Sequence, residues 1–202
     1  MDVLTKRKWD RASSAFDLMN AFGAERRWAP TKREFFSAMR GKVLLVAVGT
    51  GLDISYFPPE GDIVGIDISD GMLAKARARA AAYPGRLELR QLDVHEMDYT
   101  PGTFDQVFTS CTFCSVPDPV RGLEGVRRVL KPGGELRMFE HTGSRHFPFN
   151  VLLHLMNPIA KLGGPEITRD TVGNVRRAGF EIVEVTHVYL DIVKTILAVA
   201  PA

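Results

Sequence analysis

Residues 43–48 constrain the fold of this chain more than any other segment does. The segment is aliphatic throughout, contains three valines, and is bounded by Gly41 and Gly49. A short apolar run without polar alternation is typical of a strand that is buried on both faces, and such strands occur inside parallel sheets. The segment therefore predicts an α/β domain built around a parallel sheet.

Strand and helix patterns alternate along the rest of the chain. Strands are predicted at 63–66, 87–92, 104–109 and 135–139, with helices at 69–82 and 118–130 and a turn at 131–134. Such alternation implies right-handed βαβ crossovers and hence a doubly wound sheet. A helix ending at Ala178 precedes apolar strands at 181–189 and 192–200, which lie too close in sequence for a crossover and must be antiparallel.

The expected architecture is therefore an α/β, doubly wound (Rossmann-like), mostly parallel seven-stranded sheet with an antiparallel C-terminal strand. Helical patterns at 3–22 and at about 30–39 would add amphipathic or lid helices. We divide the chain at this point into an N-terminal helical segment, 1–40, and the sheet domain, 41–202.

The charge balance excludes a protein built mainly to bind nucleic acid. The chain has 26 basic and 24 acidic residues, a net charge of +2, but residues 1–40 hold nine basic and five acidic ones.

Two cysteines, Cys111 and Cys114, cannot cross-link a secreted scaffold or complete a four-ligand zinc site, and we interpret them as small core residues. The N-terminus lacks the apolar run of a signal peptide. We expect a cytoplasmic protein without a metal site.

Glycines and carboxylates follow three successive predicted strands. Gly49 and Gly51 follow the first, Asp67 the second and Asp93 the third, and in a doubly wound sheet ligands bind at these strand ends. Ile54 occupies the third glycine position of a dinucleotide fingerprint, so the pattern favours a nucleoside pocket without a pyrophosphate site. The alternative is local: the glycines could form a plain turn, and each carboxylate could cap the segment after it.

Five segments in order make this chain resemble the class I S-adenosylmethionine-dependent methyltransferases. They are residues 43–51, 65–69 with Met72 and Leu73, 92–94, 104–107 and 128–134. The resemblance covers about residues 42–139. It implies S-adenosyl-L-methionine as cofactor and S-adenosyl-L-homocysteine as product, bound by residues 41–202.

The resemblance also implies roles for individual residues. Gly49 and Gly51 would flank the methionine moiety, Asp67 would hold the ribose hydroxyls, and Asp93 with Val94 would bind adenine. The other implied cofactor-binding residues are Val48, Thr50, Ile68 and Met72, with Ser110 and Cys111 lining the exit towards the acceptor.

Two residues depart from the family pattern in the first strand. Leu45 stands where the family usually has an acid, and Ala47 replaces its first glycine. These departures leave the anchoring of the donor's ammonium group open, and Asp53 is a candidate to compensate.

The N-terminal helix and the apolar residues 147–162 bear on the acceptor. Trp9, Phe16 and Met19 share a stripe near four basic residues, which suits either an anionic membrane surface or a lid over the cofactor. Residues 147–162 would form an apolar wall beside the active site or part of the core.

Four further segments, 113–119, 139–141, 168–171 and 174–180, resemble small methyltransferases of lipids and quinones. This implies methylation of phosphatidylethanolamine towards phosphatidylcholine by a cytoplasmic, peripherally membrane-associated enzyme. His141 and Tyr189 are candidates to orient or deprotonate the amine. Candidates to meet a lipid phosphate are Arg145, Lys161 and Arg169.

Two alternatives remain open. The acceptor could be a quinone precursor, a small thiol or another small molecule, in which case the N-terminal helix would be only a lid. The departures at Leu45 and Ala47 also suit a non-catalytic S-adenosylmethionine-binding module.

Overall fold

The computed structural model describes residues 1–21 and 24–201. Six helices and seven strands lie within them. The helices are α1 (Val3–Ala21), α2 (Ala24–Ser37), α3 (Asp70–Ala80), α4 (Pro119–Val129), α5 (Phe149–Gly163) and α6 (Thr171–Arg177). The strands are β1 (Lys42–Val46), β2 (Asp62–Asp67), β3 (Arg86–Gln91), β4 (Phe104–Ser110), β5 (Leu130–His141), β6 (Glu181–Tyr189) and β7 (Val193–Val199). Short 3-10 turns follow β1 and β3, at Leu52–Tyr56 and Val94–Glu96.

The strands form one sheet in the order β3-β2-β1-β4-β5-β7-β6. β2 pairs in parallel with β1 and β3, whereas β7 runs antiparallel to both β5 and β6. The predicted doubly wound, mostly parallel seven-stranded sheet with antiparallel strands at the C-terminal end is therefore confirmed.

Strand β1 is as deeply buried as its composition predicts. Val43, Leu44, Leu45 and Val46 are nearly inaccessible to solvent. Leu45 thus packs as a core residue at the position where the family usually has an acid. A carboxylate at that depth would need partners to offset its desolvation, and leucine avoids that cost.

The chain forms two compact units. One comprises Met1–Asp98 with Phe104–Gln106, and the other comprises Tyr99–Thr103 with residues 107 onwards. The first unit contains α1 to α3, β1 to β3 and the start of β4. The second contains the rest of β4, α4 to α6 and β5 to β7.

The structure corrects three sequence expectations. Residues 131–134 are not a turn, because β5 begins at Leu130 and not at residue 135 as predicted. Gly133 N donates to Ala200 O and Ala200 N donates to Gly134 O, and these hydrogen bonds lengthen the strand at its start. α2 begins at Ala24, before the expected start near residue 30. Residues 147–162 are not core, since they form α5 and the turn before it, with most apolar side chains exposed. No helix within the described residues is both long and apolar enough to cross a membrane.

Candidate functional site

The loop after β1 presents bare backbone to open space. Gly49 has φ +59°, and a Cβ atom placed on it would meet nothing within 4 Å. Gly51 has φ +81°, and its Cβ atom would lie 2.8 Å from Ile54 Cδ1 and 3.0 Å from Ala76 Cα. Gly51 therefore allows α3 to pack closely, while Gly49 keeps one side of the loop accessible to a ligand.

Asp67, at the end of β2, is fixed against that loop. Its Oδ2 accepts a hydrogen bond from Gly49 N (2.8 Å) and its Oδ1 accepts one from Ser69 N (2.9 Å). Burial raises the pKa of this carboxyl to about 6, and the nearby Asp10 carboxylate adds to the shift. The carboxylate oxygens keep free lone pairs with which to accept hydroxyl groups.

Asp93 follows β3 and is held ionised. Its Oδ1 accepts from His95 N (3.0 Å) and its Oδ2 from Asp2 N (2.9 Å), while His95 Nδ1 lies 2.8 Å from Oδ1. Burial alone would raise the pKa of this carboxyl, but the hydrogen bonds from His95 and Asp2 outweigh it and lower the pKa.

The remaining residues assigned to the donor in the first unit lie around these two carboxylates. Ser69 caps α3 by accepting from Met72 N at 3.1 Å, and Gln91 Nε2 donates to Ile68 O at 3.2 Å. Val48, Thr50, Met72 and Val94 are buried. The structure thus brings together the ends of β1, β2 and β3, as the sequence predicts.

Helix α1 and the residue before it are attached to all three of these strand ends. The backbone N of Asp2, which precedes the helix, donates to Asp93 Oδ2 after β3 at 2.9 Å. Asp10 Oδ1 accepts from Ser69 Oγ (2.6 Å) and Gly71 N (3.3 Å) after β2. Asp17 Oδ1 accepts from Thr50 Oγ1 (2.6 Å) after β1.

Basic residues reinforce these attachments. Lys6 Nζ lies 2.8 Å from Asp10 Oδ2 and 3.0 Å from Asp70 Oδ2. Arg79 of α3 donates to Asp17 Oδ2 at 3.0 Å and to Thr50 O at 2.5 Å, and the Met1 ammonium pairs with Glu96.

Sequence reasoning considered only the basic and apolar residues of α1 and missed this acidic face. A signal existed, because Asp10 and Asp17 are separated by seven residues, about two helical turns. Trp9 and Phe16 are half-buried, with ring centroids 6.3 Å apart in an edge-to-face contact. The side chain of Met19 lies outside the described part of the structure.

Asp53, the candidate to replace the missing acid at Leu45, is paired with a lysine. Lys32 Nζ of α2 lies 2.7 Å from Asp53 Oδ1, and both side chains are largely buried. A role for Asp53 with the donor's ammonium group stays a prediction.

In the second unit, Ser110 ends β4 and Cys111 follows it with φ +52°. Cys111 is exposed, so its assignment to the core is wrong. Cys114 is buried as expected, and burial raises the pKa of its thiol to about 12.

The same unit contains a buried acid that the sequence reasoning did not use. Glu140 Oε1 accepts three hydrogen bonds, from Thr109 Oγ1 (2.8 Å), Thr112 N (3.0 Å) and Phe113 N (3.2 Å). Its Oε2 is buried without a hydrogen-bond partner in the described structure. Burial raises the pKa of Glu140 to about 7. The only sequence signal was its place in residues 139–141, where attention went to His141.

The catalytic candidates His141 and Tyr189 lie at one level of the sheet. Both pair with Val193 of β7, from opposite sides, so their backbones are about 10 Å apart at ordinary strand spacing. Burial lowers the pKa of His141, and its buried Nδ1 has no partner among the described residues. Tyr189 is exposed.

The phosphate candidates differ in how they are engaged. Arg169 donates to Val116 O (2.5 Å) and Glu166 Oε2 (2.7 Å), and Lys161 Nζ lies 3.1 Å from Glu166 Oε1. Arg145 is exposed, and its backbone N donates to an Asp191 carboxylate oxygen at 2.7 Å.

No group of three or more His, Cys, Asp or Glu among the described residues could hold a metal ion.

Comparisons with known proteins identify related methyltransferases. Residues 44–138 match the model of a methyltransferase domain family. A ubiquinone/menaquinone biosynthesis C-methyltransferase of Geobacter sulfurreducens is 36% identical over 164 residues, which is 74% of this chain and 63% of that protein. A phosphatidylethanolamine N-methyltransferase of Cereibacter sphaeroides is 38% identical over 108 residues, 52% of this chain and 53% of that protein. The chain thus spans less than two thirds of the length of either of these relatives. A ubiquinone/menaquinone biosynthesis C-methyltransferase of Geobacter sp. (strain M21) is 33% identical over 163 residues, which is 74% of this chain and 68% of that protein.

A solved structure shares the fold. The S-adenosylmethionine-dependent methyltransferase of Aquifex aeolicus superposes with a TM-score of 0.68 at 16% identity, covering 93% of this chain and 98% of that one.

Proposed function

This chain belongs to the S-adenosylmethionine-dependent methyltransferases, and we propose that it methylates the amine of phosphatidylethanolamine, towards phosphatidylcholine, at a membrane surface. The observation that carries the donor half is the Asp67 carboxylate fixed against the open backbone of Gly49. The acceptor half is supported by the named substrate of the Cereibacter sphaeroides relative.

The residues present fit S-adenosylmethionine, whose sulfonium supplies the electrophilic methyl group. Asp67 would accept hydrogen bonds from two ribose hydroxyls, and the ionised Asp93 would accept one from the adenine amine. Gly49 would let the methionine moiety lie against the backbone. Because methyl transfer is an in-line displacement, holding donor and acceptor in line supplies most of the rate enhancement.

An amine acceptor must lose a proton before its lone pair can attack. We assign the orientation or deprotonation of the amine to His141, because burial lowers the pKa of its imidazole and so favours the neutral ring, the form that accepts a proton. Tyr189 would orient the headgroup. Arg145 would bind the lipid phosphate. Lys161 and Arg169, which both pair with Glu166, would add positive charge for the same phosphate.

A quinone precursor is the second candidate acceptor. The Geobacter sulfurreducens relative aligns over 74% of this chain, against 52% for the lipid relative. Both acceptors dissolve in membranes, so both require access to a bilayer.

The outer face of α1 is one candidate membrane contact. Leu4, Arg7, Arg11 and Leu18 are all exposed there and fall on one helical face. Apolar and basic residues on one face suit an anionic bilayer, and a cytoplasmic, peripherally attached protein would follow.

Transfer of labelled methyl groups tests the proposal. The full chain is incubated with labelled S-adenosylmethionine and either phosphatidylethanolamine vesicles, vesicles containing a demethylated quinone, or a small thiol. We expect label in mono-, di- or trimethylated phosphatidylethanolamine, and none with the Asp67→Ala variant. Label in the quinone alone would select the second candidate, whereas donor binding without label in any acceptor would favour a non-catalytic module.

A further inference from the structure

Helix α5 has the reverse of the polarity expected for a helix on a water-soluble domain. Its inward positions are Asn150, Leu153, Asn157 and Ala160, and only Leu153 is buried. Asn157 Oδ1 accepts from Ile167 N at 3.0 Å, so part of this inner face is bound by polar contacts. Large apolar side chains occupy the outer positions.

The outer face forms one continuous apolar stripe. Leu152, Leu155, Met156, Ile159 and Leu162 are spaced at three and four residues, and Phe147 and Phe149 extend the stripe at its start. Leu155, Ile159 and Leu162 are 72%, 74% and 83% exposed. Contiguous exposed apolar surface of this kind marks a site that contacts another apolar phase or protein.

Cations flank the stripe, and acids from outside the helix contact two of them: Glu166 Oε1 lies 3.1 Å from Lys161 Nζ, and Asp191 Oδ2 lies 3.9 Å from His146 Nε2. From residue 141 to residue 165 the chain contains no Asp or Glu, whereas Arg145, His146, His154 and Lys161 lie along or beside the helix. The exposed residues Arg145 and His146 precede the helix, and Lys161 lies in its last turn.

We propose that the apolar stripe of α5 docks the protein on an anionic lipid bilayer. A fifteen-residue helix is about 22 Å long, too short to span a hydrocarbon core of about 30 Å, so α5 would lie in the plane of the interface. The flanking cations would then reach anionic headgroups while the stripe enters the acyl region.

A second copy of this chain is the competing occupant, and charge argues against it. In a two-fold pairing of antiparallel α5 helices, Arg145 of one copy would approach Lys161 of the other, and the neighbouring acid, Glu166, is already shared by Lys161 and Arg169 of its own chain. An anionic bilayer would instead supply additional negative charge. The inference rests on the proposed function in taking lipid as the acceptor phase, but its test requires no reaction.

Co-sedimentation of the full chain with vesicles provides the test. The vesicles contain equal parts phosphatidylcholine and phosphatidylglycerol, with phosphatidylcholine alone for comparison. We expect binding to the anionic vesicles and a loss of at least about tenfold in Leu155→Ser/Ile159→Ser, since the burial of one such side chain is by itself worth about that factor. Val183→Ser, at a 58% exposed site in β6, is the matched control and should bind unchanged.

A second measurement does not depend on loss of binding. In a Cys111→Ser background, a polarity-sensitive dye on Ile159→Cys should shift to the blue with anionic vesicles, whereas the same dye on Val183→Cys should not. Equal vesicle binding by the double variant and the parent would overturn the proposal. So would a fall in solution mass from dimer to monomer in the double variant with vesicle binding unchanged.

The two proposals fail separately. Vesicle binding through α5 with no lipid methylated would refute the phosphatidylethanolamine proposal alone. Undiminished methylation of vesicle lipid by the double variant, with undiminished binding, would refute the docking proposal alone.

Discussion

Glu140→Gln removes a carboxylate that has no exposed surface in the folded protein. Glutamine keeps Oε1, which accepts the hydrogen bonds from Thr109, Thr112 and Phe113, and places its amide nitrogen at the Oε2 position, where no partner lies. The substitution therefore preserves the shape and the accepted hydrogen bonds while removing the charge.

The size of the effect follows from the pKa of Glu140. Burial raises it from 4.5 to about 7, so the folded state holds the proton more tightly than the unfolded chain does. The resulting stability is present below about pH 4.5 and is lost as the pH rises through about 7, since the charge must then be buried. At about 1.4 kcal/mol per pKa unit, the loss is about 3 kcal/mol.

Urea unfolding of both proteins between pH 5 and pH 9 measures this directly. At pH 5 the variant should be less stable than the parent, because its unpartnered amide protons cost about 1–3 kcal/mol. The difference in free energy of unfolding should then move by about 2.5 kcal/mol in favour of Glu140→Gln between pH 5 and pH 9, since part of the parent's loss has already occurred at pH 5. Asp67 titrates in both proteins and cancels. The exposed Glu124→Gln variant measures the effect of losing one carboxylate from the chain, and a flat difference for Glu140→Gln would refute the reasoning.

Three further predictions concern single residues. Ala47→Gly should stabilise the fold by about 0.5–1 kcal/mol in urea unfolding, because Ala47 has φ +57°, and destabilisation would contradict this. Asp10→Asn should weaken S-adenosylmethionine binding in calorimetry, because it weakens the contact of α1 with Ser69. Arg11→Ala, at an exposed position of the same helix, should leave the affinity unchanged, and equal effects of the two substitutions would contradict a role for α1 as a lid. A thiol reagent at pH 8 should modify the folded protein once, at Cys111, and the unfolded protein twice, since burial raises the pKa of Cys114 to about 12. Two fast modifications of the folded protein would contradict the burial of Cys114.

The parts of the fold that the sequence predicts are those encoded in local patterns. The aliphatic run at residues 43–48, which overlaps β1, favours a strand buried on both faces, and the alternation after it indicates the parallel sheet. Gly49, Asp67 and Asp93 were found because each follows a strand, and the carboxyl ends of parallel strands share one edge of the sheet.

The sequence reasoning failed where long-range contacts decide the outcome. Gly133 would end a helix in isolation, but pairing with Ala200 draws it into β5. The sequence gives no sign that Glu140 is buried. Its burial depends on hydrogen bonds from Thr109, Thr112 and Phe113, which lie about thirty residues earlier in the chain. The reversed polarity of α5 cannot be read from its apolar content, since a core helix would have the same composition.

Calorimetric titration of S-adenosylmethionine into the full chain measures whether Asp67 and its neighbours form the donor site. We expect binding at pH 7.5 that weakens as the pH falls below about 6, because protonated Asp67 can no longer accept from both ribose hydroxyls. Asp67→Ala should lose about 100-fold or more in affinity, from two hydrogen bonds to a charged group, whereas the exposed Asp98→Ala should lose none. Undetectable binding to the parent chain, or equal affinity in Asp67→Ala, would contradict the account.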